Sequence, residues 1–191
     1  AAIDKPAAVK LPAMCASHSR GVSIGGDASV GTLQQRKPGD ARAFRASGEF
    51  DSLTMDLALA AFGEKKLGRG PATDVLAISL SATDYIGHTF GTAGAETCTQ
   101  MAALDATLGR MFAALDKSKV PYLVVLTADH GGHDLPERNA IQGLPAAERA
   151  DIKLMPQGVG PVLELDRKAN AFAVEARDVV HSNPVRAFVT V

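Results

Sequence analysis

Long apolar runs are missing from this chain, and so is any strong excess of charge of one sign. No stretch approaches the roughly 18 consecutive apolar residues of a helical membrane span, so none is expected. Lys and Arg total 20 against 21 Asp and Glu, a net charge of −1. That balance excludes a broadly basic surface for a nucleic acid polymer or an anionic membrane. Cysteine is scarce, with only Cys15 and Cys98. The pair leaves two readings open. One is a single disulfide across a long loop, which favours an oxidising compartment. The other is two free thiols, with Cys98 on the apolar stripe of a helix. The sequence begins at Ala1 and does not open on a charged-then-apolar stretch, so it is expected to be a mature form or a portion of a longer protein.

What is present is ordinary for a globular protein: 46% hydrophobic and 21% charged residues in a chain of 191. That length suffices for one sizeable domain or a piece of something larger. Residues 1–47 have little apolar periodicity, and GVSIGGDASVG within them reads as a loop or short hairpin. They are expected to form a loop-rich decoration on a core spanning 48–191. In GEFDSLTMDLALAAFGEKKLG, Phe50, Leu53, Leu57 and Ala61 recur at helical spacing, with Lys65, Lys66 and Gly68 closing the segment. GRGPATD then turns into an apolar run from Asp74 to Ser81. A second run covers Tyr122 to Leu126. Both are short and rich in Val, Ile and Leu, as parallel strands covered on both faces would be.

Between the runs, Ala95 to Asp116 carries Cys98, Met101, Leu104, Leu108, Met111, Phe112 and Leu115 on one face of a long helix. A strand, helix, strand unit results. Beyond Asn139 the pattern weakens. LPAAERADIK suggests a short helix, MPQGVGP a loop, and VLELD, AFAVEAR and VRAFVTV further strands. The last is apolar to Val191, as if a larger chain were cut there, so a fragment is expected.

The chemistry gathers where the two apolar runs end. LSATDYIGH places Asp84 and His88 after the first, and LTADHGGH places Asp129 and His130 after the second. In open parallel sheets ligands collect outside the carboxyl ends of the strands. Carboxylate and imidazole together suit zinc and other borderline divalent ions, and two half-sets at neighbouring strand ends suit a two-metal phosphoryl-transfer site. Gly87, Gly91 and Gly94 point to an irregular loop around Asp84 and His88. Asp129 and His130 are neighbours and share an ion only where the chain leaves strand geometry, which Gly131 and Gly132 permit. His133 and Asp134 extend this cluster, either orienting the ligands or facing solvent. His18 has no second ligand nearby in sequence, His181 in the VVHSNP turn is open between a solvated and a functional role, and Ser79 and Ser81 read as strand filler.

The pairing of LAISLSATDYIGHTFG with VVLTADHGGHDLPERN, across a helix containing LDATLGRMFAAL, resembles the alkaline phosphatase superfamily. The nearest branch is that of bacterial alkaline phosphatases of the type I phosphodiesterase and nucleotide pyrophosphatase kind. The likeness is dense from about Gly48 to Asn139. It implies an α/β fold, here an incomplete sandwich with a central, mostly parallel sheet flanked by helices. It also implies two zinc ions, one held by Asp84 and His88 with a further His, the other by Asp129 and His130 with a further Asp. Hydrolysis of small-molecule phosphate esters through a Thr or Ser phospho-enzyme would follow, in a periplasmic or secreted protein. The family's nucleophile and extra Asp lie upstream of the D-x-x-x-H motif, and no match precedes Asp74. Thr83 and Thr89 lie near the motif but are not given the nucleophile's role by it. The family's final His sits in a His-Gly motif, whereas His181 is followed by Ser182 and Asn183. Only four ligands therefore carry over, and the missing part of its own chain is the expected partner. Sulfatases and cofactor-independent phosphoglycerate mutases use related metal frames, and a non-catalytic metal-binding or structural fragment is the remaining alternative.

Overall fold

The longest element of the computed structural model, which describes residues 2–141, is helix α4, Ala95–Ser118. It runs two residues past the expected end. Leu104 and Met111 are buried along it and Leu108 and Leu115 partly so, whereas Met101 and Phe112 stay exposed on the flanks of the expected stripe. Helix α2, Gly48–Glu64, packs against α4. The two backbones approach closely at Gly48, where a Cβ would lie 2.8 Å from that of Ala103. A side chain there would push the helices apart.

Which face of α2 is buried differs from the expected one. Asp51 and Met55 are buried, with Ala58 and Leu59 packed against the core, while Leu53 and Leu57 are exposed. The helix carries Leu, Met and Ala on nearly every side, so apolar spacing alone does not select a face. Contact with α4 selects it. Met55, Ile78, Leu80, Leu104 and Met111 form the core, joined by Val124 from the second apolar run.

The two apolar runs do not form the expected parallel strands. Among the described residues the only sheet is an antiparallel hairpin of β1, Val22–Gly25, and β2, Ala28–Val30, pairing Val22 with Val30. The central, mostly parallel sheet is therefore not seen among these residues. Along the first run Ile78 and Leu80 are buried while Ala77 and Ser79 are exposed. This is the period-two pattern of a segment covered on one side, not both. Val75 and Leu123 are 87% and 88% exposed. A strand needs a ladder partner at its edge as well as apolar side chains, and sequence reports only the second.

The hairpin confirms one of the two readings of GVSIGGDASVG, and residues 2–47 are tied firmly to the helices. Cys15 and Cys98 form a disulfide across 83 residues, with Cα atoms 5.7 Å apart. The free-thiol reading is thereby corrected. Arg36 meets both carboxylate oxygens of Glu49 at 2.9 Å, a bidentate pair. Glu96, at the start of α4, accepts from the amide of Gly31 at 2.7 Å. A short helix α1, Ala41–Arg45, is capped by Asp40, which accepts from Ala43 N. No helix among the described residues is long and apolar enough to cross a membrane. LPAAERADIK, MPQGVGP, VLELD, AFAVEAR, VRAFVTV and His181 lie outside the described residues.

Candidate functional site

Asp84 and His88 lie on a helix, not in the expected loop. Helix α3 spans Ala82–Phe90 and includes Gly87, while Gly91 terminates it at φ 81°, its amide bonding back to Gly87 O. A residue with a Cβ at Gly91 would run into Asp134, Leu135 and Arg138, so glycine is required there twice over. The helix explains the D-x-x-x-H spacing. Residues four apart share one face, and His88 Nε2 sits 3.2 Å from Asp84 Oδ1. Asp84 falls in the first turn, where the helix dipole favours a carboxylate.

His130 reaches the same oxygen from the second motif. Its Nε2 lies 3.5 Å from Asp84 Oδ1 and 3.7 Å from Asp129 Oδ2. The other ring nitrogen, Nδ1, is 2.9 Å from Gly131 O. A carbonyl only accepts, so Nδ1 is the donor and Nε2 is the nitrogen turned towards the carboxylates. Metal-ligating histidines are held in this way, by a carbonyl on the far nitrogen. The bond to Gly131 also raises the His130 pKa, helped by Asp129 and Asp84 against the opposing effect of burial.

All four predicted ligands therefore lie along one chain of contacts, His88 to Asp84 to His130 to Asp129. Their spacing resembles the edges of a coordination shell: donors about 2.0–2.1 Å from a tetrahedral ion stand roughly 3.3–3.4 Å apart. Among the described residues, however, no three His, Cys, Asp or Glu side chains surround one point suited to a metal ion. The donor types and pairwise distances fit, and the described residues supply fewer donors per ion than a closed site needs. The cluster is open, with the Asp84 side chain 39% and that of His88 75% exposed. Solvent-exposed pairs of this kind contribute little stability, which leaves them available for a ligand.

The neighbouring residues have other roles. Asp134 does not face solvent. It accepts from the amides of Thr92 at 2.9 Å and Ala93 at 3.2 Å, and pairs with Arg138, which also donates to Phe90 O. Arg138 sits on α5, Pro136–Ile141. This bracket fastens the end of α3 to the segment following Asp129 and His130. His133 is exposed, and His18 contacts Ala93 O through Nδ1 at 3.2 Å. Thr89 donates to Tyr85 O, Thr83 accepts from Gln100, and Ser79 pairs with Ser81. Thr83, Thr89, Ser79 and Ser81 are thus each engaged within the chain. Two residues that sequence does not single out, Asp51 and Gln100, meet at the start of α3. The signal for Asp51 is its place one turn before Met55 on the buried face of α2.

Residues 14–184 match the family described as type I phosphodiesterase / nucleotide pyrophosphatase. The chain belongs to this family. Among its relatives, alkaline phosphatase PhoD of Zymomonas mobilis is 48% identical over 147 residues, covering 76% of this chain and 26% of that protein. Alkaline phosphatase PhoK of a Sphingomonas species is 46% identical over 155 residues, covering 81% of this chain and 28% of the relative. Alkaline phosphatase PhoV of Synechococcus elongatus is 44% identical over 97 residues, covering 49% and 18%. The chain thus spans about a quarter of the length of the first two curated relatives. As a type I phosphodiesterase family member it carries both Asp/His motifs within the matched region.

Proposed function

We propose that this chain is part of a zinc-dependent hydrolase of small-molecule phosphate esters, supplying two ligands to each of two ions. The observation that carries the reading is that two Asp/His pairs from motifs far apart in sequence, His88 with Asp84 and His130 with Asp129, lie side by side, His130 Nε2 also 3.5 Å from Asp84 Oδ1. Family membership, and relatives that are named alkaline phosphatases, support the reaction class. Asp84 and His88 would hold one ion, Asp129 and His130 the other. Bound zinc would supply a Lewis acid for the phosphoryl oxygens and a lowered pKa for an attacking hydroxyl.

The chain's own residues do the rest of what can be assigned. Helix α3 keeps Asp84 and His88 on one face. The Gly131 carbonyl holds the His130 tautomer that turns Nε2 outward, and the bracket of Asp134 and Arg138 keeps the two motifs adjacent. The nucleophile, a Thr or Ser forming a phospho-enzyme, is not assigned to any residue of this chain. Catalytic zinc sites commonly use about three protein ligands, so the described residues alone are expected to bind weakly and not to turn over. The Cys15–Cys98 disulfide supports a periplasmic or secreted location, where such bonds persist.

Metal analysis of the intact protein alongside a chromogenic phosphate ester tests the proposal. About two zinc ions per chain, with turnover abolished by a chelator, is the expected result. Absence of metal in zinc-rich buffer would overturn it. Bound metal without turnover of any phosphate ester would instead favour a non-catalytic metal-binding role.

A further inference from the structure

The helix that presents Asp84 and His88 has no cap of its own. Ser81, which precedes it, makes no side-chain bond to the first turn. The first amide of α3, Ala82 N, is instead taken by Asp51 Oδ1 at 2.9 Å, from a residue 31 positions earlier on α2. The other oxygen of Asp51 accepts from Gln100 Nε2 of α4 at 2.7 Å, and the same amide nitrogen reaches Thr83 Oγ1 at 3.3 Å. Asp51 and Gln100 are 1% and 2% exposed. Three helices therefore meet at one buried polar point, two residues before Asp84.

Such an arrangement is a poor way to gain stability. Burying a carboxylate removes its hydration, and a few hydrogen bonds at best offset the loss, so apolar packing of equal volume would hold the helices at least as well. What a carboxylate does that an apolar side chain does not is fix one amide in position and direction. Helix α3 is nine residues long, so a shift at its first turn moves both Asp84 and His88.

We propose that Asp51, held by Gln100, is a positioning residue for the metal-binding face of α3, setting the placement of Asp84 and His88 without touching the ion. The proposal rests on the zinc reading above. It predicts a much larger effect on one ion than on the other, because Asp129 and His130 belong to a different segment, and His130, although it touches Asp84, is oriented by Gly131 O.

The test is titration of the metal-free intact protein with Co2+, followed by visible absorption and calorimetry, with folding checked by thermal unfolding. Asp84→Ala and Asp129→Ala identify which binding event belongs to which pair. Asp51→Ala is expected to weaken the event lost in Asp84→Ala by about 10-fold, the lower end of what removing an orienting partner costs. The event lost in Asp129→Ala should stay within about 2-fold of the parent, since that pair keeps its own orienting partner. Asp51→Asn keeps an oxygen for Ala82 N and should restore the parent affinity. Equal weakening of both events, or no weakening in a folded Asp51→Ala protein, would overturn the inference while leaving the zinc reading intact. If Asp84→Ala loses no cobalt, the zinc reading fails and the inference fails with it. If Asp51→Ala does not fold, Gln100→Leu replaces it, with a smaller loss confined to the same event expected and an equal or absent loss overturning the inference.

Discussion

Two aspartates in neighbouring helices show how differently one side chain is used. Asp51 is buried between α2, α3 and α4 with both oxygens occupied by nitrogen donors. Asp84, on the next helix, stands at the surface facing two imidazoles that are themselves exposed. The first carboxylate is committed to the fold, and the second is left to a ligand. Stability and function are separated by a single turn of helix, and the separation is measurable because changes on the two sides should register in different experiments.

On the closed side, the largest expected effect comes from the covalent tie. Replacing Cys15 and Cys98 with Ser should cost on the order of 4 kcal/mol of stability, because the disulfide closes a loop of 83 residues. Denaturant unfolding would measure it. Leu80→Ala, in the fully buried core, should cost about 3 kcal/mol in the same assay. On the open side, under the zinc reading, Asp84→Ala should lower zinc affinity by about 100-fold or more, since it removes a proposed ligand where lesser changes already cost 10–100-fold. Its effect on metal-free stability should stay below about 1 kcal/mol.

A pH experiment sharpens the contrast from the closed side. Burial raises the Asp51 pKa above its ordinary 3.8, with the Ala82 amide and Gln100 pulling in the opposite direction. For an acid raised in the folded state, the unfolded chain releases its proton first as pH rises. Stability from this group is therefore complete below the unfolded value and lost as pH climbs through the folded one. Asp51→Asn lacks that loss, so its stability relative to the parent should improve on going from pH 4 to pH 7 in thermal melts. The smallest expected effect is that of His88→Ala without metal. Its exposed pair with Asp84 should contribute less than about 0.5 kcal/mol, within the scatter of unfolding measurements.

The open side was the more legible in sequence. A carboxylate and an imidazole four residues apart, and another adjacent pair before two glycines, are local patterns that the structure brings together around Asp84. Helix α4 was legible for the same reason, its apolar stripe being local and long. The conformation of α3 was not, because Gly87, Gly91 and Gly94 suggest a loop although only Gly91 breaks the helix. The buried face of α2 was hidden by its surplus of apolar residues. The disulfide and the Asp51–Gln100 contact join residues 83 and 49 positions apart, and no local pattern encodes such distances. The first apolar run shows the converse limit, since its composition suggests a doubly covered strand while the described residues cover one side.

The bracket formed by Asp134 bears on the proposed metal site. By holding the amides of Thr92 and Ala93, 42 and 41 residues away in sequence, it closes the large loop between the motifs before any ion arrives. Two ions held side by side, one by each motif, would otherwise have to meet across that open loop, whose closure costs entropy growing with the logarithm of its length. Under the zinc reading, the four side chains would be two half-sites set side by side in advance, not separate ligands gathered by the metal.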